Sequence, residues 1–136
     1  MNKIRMIALA ACMAATLDAS AQEQEIRLFS HRGGRMEHDE NTLSAFQASY
    51  DAGYRGFETD IRMTRDGALV ITHDSSLERT TDGTGTVEEK TEAEIRRLRT
   101  KQGNKVLFLD ELLEFLEGKE GLYVEFEMKT KPEALY

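Results

Sequence analysis

Gly56–Asp74, GFETDIRMTRDGALVITHD, decides how this chain folds. Its first half, Gly56 to Met63, sets Glu58 and Asp60 two residues apart. On a strand that spacing puts both carboxylates on one face and Phe57, Thr59 and Ile61 on the other. Neighbouring carboxylates repel and desolvate badly, so they require a cation or bulk water. Asp66-Gly67 predicts a tight turn. A second strand, Ala68 to Thr72, then delivers His73-Asp74 at its end. A carboxylate pair followed, after one hairpin, by a strand-end histidine suggests a metal site with an acid–base group beside it.

The flanks extend this pattern. Upstream, Ile26 to Ser30 is a short apolar strand ending at His31, followed by the loop Arg32-Gly33-Gly34. Asn41 or Thr42 caps a helix with Leu43, Phe46 and Tyr50 on one face and Gly53 past its end. Downstream, Ser75 to Val87 is turn-rich, and Thr91 with Glu94 forms a capping box for a short helix to Leu98. Asp110 to Glu117 predicts a helix, with Leu109, Leu112, Leu113 and Leu116 at helical spacing and Gly118 beyond it. From Leu122 to Lys129 the chain alternates strictly, so Leu122, Val124, Phe126 and Met128 face away from Tyr123, Glu125, Glu127 and Lys129. Lys131-Pro132-Glu133 predicts the start of another helix. Strands alternating with helices predict an α/β fold of parallel βα units. His31, Glu58, Asp60, His73, Glu127 and Lys129 then fall at strand ends, which in a parallel barrel form the catalytic rim.

The chain has 136 residues, 40% of them hydrophobic, and a net charge of −7. An acidic balance argues against nucleic acid and anionic membranes as general partners, because both demand a basic field. A small anionic substrate held by a few local cations stays compatible. Lys3 and Arg5 before the apolar run Met6 to Leu17, and then Ala19-Ser20-Ala21, form the three regions of a secretory signal. Residues 1–21 are therefore expected to be a leader cleaved after Ala21, giving a periplasmic or secreted product. Leu9-Ala10-Ala11-Cys12 offers an alternative, a lipoprotein anchored through Cys12. Cleavage after Ala21 leaves no cysteine and hence no disulfide framework.

Glu58, Asp60 and Glu127 supply three hard oxygen ligands, a set suited to Ca²⁺ or Mg²⁺ rather than zinc. The same spacing also fits a solvent-facing strand whose carboxylates pair with Arg or Lys. His31 and His73 can divide the roles of general base and general acid, or be hydrogen-bonded core residues; His38 lies in a charged loop. Arg32 and Lys129 can neutralise a phosphate, the one by its fork and the other as a point charge. Lys129 can equally pair with Glu125 or Glu127. Arg79-Thr80-Thr81 offers donors near the same rim, or a loop cap.

Taken together, His31-Arg32-Gly33, Glu40-Asn41-Thr42 with Ala45-Phe46, Glu58-x-Asp60, Thr64-x-Asp66-Gly67, His73-Asp74, Leu77-x-Arg79-Thr80-Thr81, Gly83-x-Gly85 and Glu127-x-Lys129 resemble the glycerophosphodiester phosphodiesterases. The resemblance runs over about residues 26–131. It implies a (β/α)8 TIM barrel and hydrolysis of a small-molecule glycerophosphodiester to glycerol 3-phosphate and an alcohol. It implies that Glu58, Asp60 and Glu127 hold Ca²⁺ or Mg²⁺, that His31 and His73 are the acid–base pair, and that Arg32 and Lys129 contact the phosphate. A phospholipase-type phosphodiesterase on a related barrel and an inactive remnant are the competing expectations. The chain departs from the family pattern at Asp39, where Pro is frequent, at Leu107-Phe108-Leu109, where Pro-Thr-Leu is, and at Glu125, where a neutral residue is usual. A complete barrel takes ~250 residues. Residues 22–136 are thus expected to be the N-terminal portion of a catalytic domain, with about three barrel strands plus the hairpin strand, and inactive by themselves.

Overall fold

A computed structural model of the protein describes residues 27–130. The leader, Cys12 and the Lys131-Pro132-Glu133 helix start lie outside the described residues. In chain order the elements are β1 (Phe29–His31), α1 (Leu43–Asp51), β2 (Gly56–Met63), β3 (Leu69–Ile71), α2 (Glu92–Ile95), α3 (Leu109–Leu116) and β4 (Tyr123–Met128), with a 3-10 turn at Val87–Glu89 before α2.

β2 is the hub of the sheet. β1 and β4 run parallel to it, and β3 returns antiparallel. Alternate carbonyls of a strand point to opposite edges, and β2 uses both. Its Glu58 and Asp60 carbonyls accept from Arg32 and Thr72, so β1 and β3 share one edge; its Arg55 and Ile61 neighbours accept from Tyr123 and Lys129 of the β4 segment. The hairpin tip is closed by Thr64, whose hydroxyl donates to Asp66 at 2.7 Å and accepts from Ala68 N at 2.8 Å. Gly67 there has φ 92°, a conformation that excludes most side chains.

α1 starts where Thr42 Oγ1 accepts from Ala45 N. It buries Ala45, Phe46 and Ser49, while Leu43 is 38% exposed. The expected face of Leu43, Phe46 and Tyr50 is therefore rotated by about one position. The cause is Gly33, at φ 74°, whose backbone approaches Ala45 so closely that a Cβ there would lie 2.8 Å from the Ala45 Cβ. Only glycine lets the loop after β1 lie on α1 in this way.

Phe46, Phe57, Ile61, Ile71, Leu107 and Leu112 form the main core between sheet and helices, with Leu122 and Val124 of the β4 segment packed against it. Phe46 and Phe57, both fully buried, meet at a ring separation of 5.5 Å. Further along β4 the outward side chains are open: Phe126 is 38% and Met128 59% exposed. Among the described residues β1 and β4 each pair with β2 alone.

The turn-rich excursion after β3 builds a second core from Val70, Leu77, Val87, Ile95, Val106 and Phe108. Arg96 covers it, its guanidinium 4.0 Å from the Phe108 ring centre. α2 opens with the expected capping box at Thr91 and Glu94 but ends at Ile95, not Leu98. Past the buried Ile95 the chain is drawn into bridges, Arg99 with Lys105 and Thr100 with Thr81. α3 begins at Leu109, with Glu111 accepting from Phe108 N, and its Leu113 turns outward at 52% exposure. Asp39 and the 107–109 run, two of the departures from the family pattern, have local roles here. The Asp39 carboxylate accepts from Asn104 Nδ2 at 2.8 Å and from Thr100 Oγ1, and Leu107 and Phe108 are core residues.

Candidate active site

Parallel register brings the acidic residues together. Asp60 of β2 lies beside Glu127 of β4, and Glu58 lies between His31 of β1 and Glu125 of β4. Residues in register on parallel strands share a face, so all of these side chains stand on the side opposite Phe57 and Ile61. One carboxylate oxygen each of Glu58, Asp60 and Glu127 lies within 4.8 Å of the other two. The expected ligand set of Glu58, Asp60 and Glu127 is thus brought together, and it is the β2–β4 pairing that sets Glu127 beside Asp60.

Asp60 is the centre. It is fully buried, accepts from Asn41 Nδ2 at 3.1 Å and lies 3.0 Å from Arg32 Nε through the same oxygen, Oδ2. Its other oxygen, Oδ1, is buried, accepts no hydrogen bond and faces Lys129 Nζ at 3.4 Å. Asn41 in turn accepts from Thr59 Oγ1 at 3.0 Å, which fixes the orientation of its amide. Burial, and next the Asp60 charge, push the Glu58 carboxyl above the usual glutamate range. Glu127 is held below it, first by the hydrogen bond from Lys129. A buried oxygen without a donor, converging with two further carboxylates, fits a hard divalent cation.

Both phosphate candidates are engaged with this cluster. The Lys129 ammonium lies 2.7 Å from Glu127 and 3.4 Å from Asp60. Arg32 is buried; its guanidinium joins Asp60 to Glu40 Oε1, the latter at 3.3 Å. Its backbone is left-handed, at φ 53°, a conformation that costs a non-glycine residue energy. The backbone N–H of Arg32 spends that distortion on β2, donating to the Glu58 carbonyl at 2.9 Å.

The two histidines differ. His31 is about half exposed and its Nε2 lies 3.5 Å from Glu58 Oε2. His73 is more confined. Its Nδ1 is 2.6 Å from Asp74 Oδ1, and its carbonyl accepts from Arg62 Nε at 2.8 Å. Arg79 bridges Asp74 and Glu40, and hydrogen bonding to Arg79, before any other cause, lowers the Asp74 carboxyl to about 2. His38 is exposed. Glu40, Asp74 and Arg62 carry no role that the sequence alone suggests, although Glu40 and Asp74 stand inside its motifs; Asn41, one of two expected helix caps, instead holds Asp60 while Thr42 makes the cap. Their spacing to the acidic residues was the available signal, and it is too long to be read without the fold. Among the described residues a cleft of about 640 Å³, lined by Arg27, Tyr54, Arg55 and Tyr123, lies at the opposite ends of the strands.

Fold and site together define an α/β protein with β1, β2 and β4 parallel and β3 antiparallel. Its acidic cluster lies on one face of the sheet, within β2 and near the end of β4 rather than all at strand ends, with histidines at the end of β1 and just past the end of β3. The glycerophosphoryl diester phosphodiesterase family model matches residues 31–135. The chain belongs to this family. It is 34% identical over 110 residues to a glycerophosphodiester phosphodiesterase of Caldanaerobacter subterraneus subsp. tengcongensis, an alignment covering 76% of this chain and 45% of the relative. Among solved structures, the glycerophosphodiester phosphodiesterase from Agrobacterium tumefaciens superposes with a TM-score of 0.70 at 34% identity, over 76% of this chain and 47% of that one. An Oleispira antarctica phosphodiesterase in complex with the product sn-glycerol-3-phosphate gives 0.71 at 30% identity, over 76% and 44%. β1, β2 and β4 with their helices are thus part of a (β/α)8 barrel, and β3 is the return strand of a hairpin. The chain spans about half the length of the curated relatives it matches.

Proposed function

We propose that the chain carries the acid–base and metal-binding groups of a hydrolase that cleaves glycerophosphodiesters to glycerol 3-phosphate and an alcohol. The observation that carries this reading is the buried, partly unpartnered Asp60 converging with Glu58 and Glu127, with His31 at the end of β1 beside Glu58 and His73 just past the end of β3. The relative bound to sn-glycerol-3-phosphate supports the substrate class.

Glu58, Asp60 and Glu127 would hold Ca²⁺ or Mg²⁺. Bound there, the ion supplies charge neutralisation for an anionic phosphodiester under attack. The chain's own groups do the rest. One of His31 and His73 takes the proton of the attacking nucleophile as its oxygen bonds to phosphorus. The other gives a proton to the alcohol oxygen as the ester bond breaks. Lys129, with part of its side chain open, swings between the carboxylates and a phosphate oxygen. Arg32 has five N–H donors, more than its two ion pairs use, and the remainder serve the phosphate from below.

A leader cleaved after Ala21 would send the mature chain, residues 22–136 and the N-terminal portion of a catalytic domain, to the periplasm or the medium. Mass spectrometry of the exported protein would then show Gln22 at the amino terminus; lipidated Cys12 would contradict it. The activity is tested by incubating the purified full-length enzyme that contains this chain with glycerophosphocholine and either cation and measuring glycerol 3-phosphate; residues 22–136 by themselves are expected to give none. Release of phosphocholine instead, or turnover of phosphatidylcholine vesicles alone, would replace the proposal with a phospholipase-type reaction.

A further inference from the structure

His73 is the end of a chain of alternating charges. Its Nδ1 meets Asp74 Oδ1 at 2.6 Å. Asp74 Oδ2 accepts from Arg79 Nε, and the same guanidinium makes a two-pronged contact with Glu40, at 2.7 and 3.0 Å. Glu40 Oε1 also lies 3.3 Å from Arg32 Nη1, and Arg32 reaches Asp60. Glu40 comes from the loop after β1 and Asp74 from the end of β3. Arg79 therefore ties the two histidine-bearing strand ends to each other.

We propose that Arg79 is a positioning residue: anchored by Glu40, it clamps Asp74 so that His73 keeps its proton on Nδ1 and leaves Nε2 for proton transfer. An ionised carboxylate can only accept hydrogen bonds, so a ring nitrogen 2.6 Å away must be the donor. With Arg79 on its other oxygen, Asp74 stays ionised and cannot rotate away. Which nitrogen of a histidine is free is set by the bond the other makes. Neutral His73 then accepts a proton at Nε2 and, once charged, returns it from the same atom; Asp74 takes up none. The guanidinium geometry matters, because one ammonium cannot bridge Asp74 and grip both Glu40 oxygens.

This inference rests on the acid–base role of His73 proposed above, and the test separates the two. The full chain is labelled with ¹⁵N-histidine, and the His73 ring nitrogens are assigned by difference with His73→Gln. Above the imidazole titration, His73 is expected as the Nδ1–H tautomer. Arg79→Gln should shift it towards Nε2–H and lower kcat on glycerophosphocholine about 10- to 100-fold, with KM within about twofold. Arg79→Lys should fall between. Because Arg79 acts through Asp74, adding Arg79→Gln to Asp74→Asn should slow the enzyme by no more than about twofold further. Should Arg79→Gln fail to fold, Asp74→Asn reads the same tautomer with Arg79 in place. Retention of Nδ1–H in either variant, or Nε2–H in the wild type, overturns the proposal. The tautomer decides the clamp with or without turnover; absence of turnover counts against the hydrolase reading only in the full-length enzyme, because residues 22–136 are expected to be inactive by themselves.

Discussion

Asp60→Asn removes one charge from the centre of the acidic cluster while keeping the side chain's shape. Two effects are separable. Removing one partner of a buried ion pair costs about 3–5 kcal/mol. Here Arg32 keeps Glu40 and Lys129 keeps Glu127 at 2.7 Å, and the repulsion that helps raise Glu58 is relieved. The metal-free variant is therefore expected to lose less, about 2–3 kcal/mol. Added cation gives the second reading. At a hundred times its Kd an ion stabilises the wild type by about 2.7 kcal/mol, a shift on the order of 10 °C for a domain of this size. Neutralising one of three charged ligands should weaken binding at least ~100-fold, since even partners behind the ligands are worth ~10–100-fold. The same concentration then stabilises the variant by no more than about 0.4 kcal/mol. The assay is thermal unfolding with and without Ca²⁺ or Mg²⁺. Glu127→Gln should lose the metal-dependent shift at little cost in metal-free stability, because Glu127 is 56% exposed. An undiminished shift in both variants would refute the carboxylate cluster as the cation site.

His31→Ala and His73→Ala should each lower kcat roughly 10²–10⁴-fold, and the double variant should lose far less than the product, because the two act in one reaction; steady-state kinetics decide this, and fully multiplicative losses would mean separate structural roles. Asp74, whose carboxyl is lowered from 3.8 to about 2 chiefly by Arg79, should contribute stability that is present above about pH 4 and disappears as pH falls towards 2. Acid titration of the unfolding midpoint should accordingly show a shallower acid limb in Asp74→Asn than in the wild type.

The elements were largely legible in the sequence because each announces itself locally. Period-two alternation marked β2 and β4, Asp66-Gly67 marked the hairpin, and Thr91 with Glu94 marked the start of α2. Where local signals met tertiary demands, the latter prevailed. α2 stops at Ile95 because the following residues are drawn into bridges with Thr81 and Lys105. α1 buries Ala45 and Ser49 because the loop at Gly33 packs on it.

The candidate site divides in the same way. Strand alternation alone put Glu58 and Asp60 on one face, and strand-end position singled out His31 and His73. Residue type and strand alternation named Glu127 as a third ligand, but its place beside Asp60 comes from the parallel register of β2 and β4, which sets residues more than sixty positions apart side by side. The cation partners were also undecidable from the sequence. A point charge such as Lys129 pairs with whichever carboxylate the fold presents, and the fold presents Asp60 and Glu127, not Glu125. Arg32 lies beneath the cluster, buried, because the chain leaves β1 in a left-handed conformation that turns its side chain under Asp60. The chain from His73 through Asp74, Arg79 and Glu40 to Arg32 draws on loops after two different strands. Local sequence names its members, and only their packing at one end of the sheet decides that they touch.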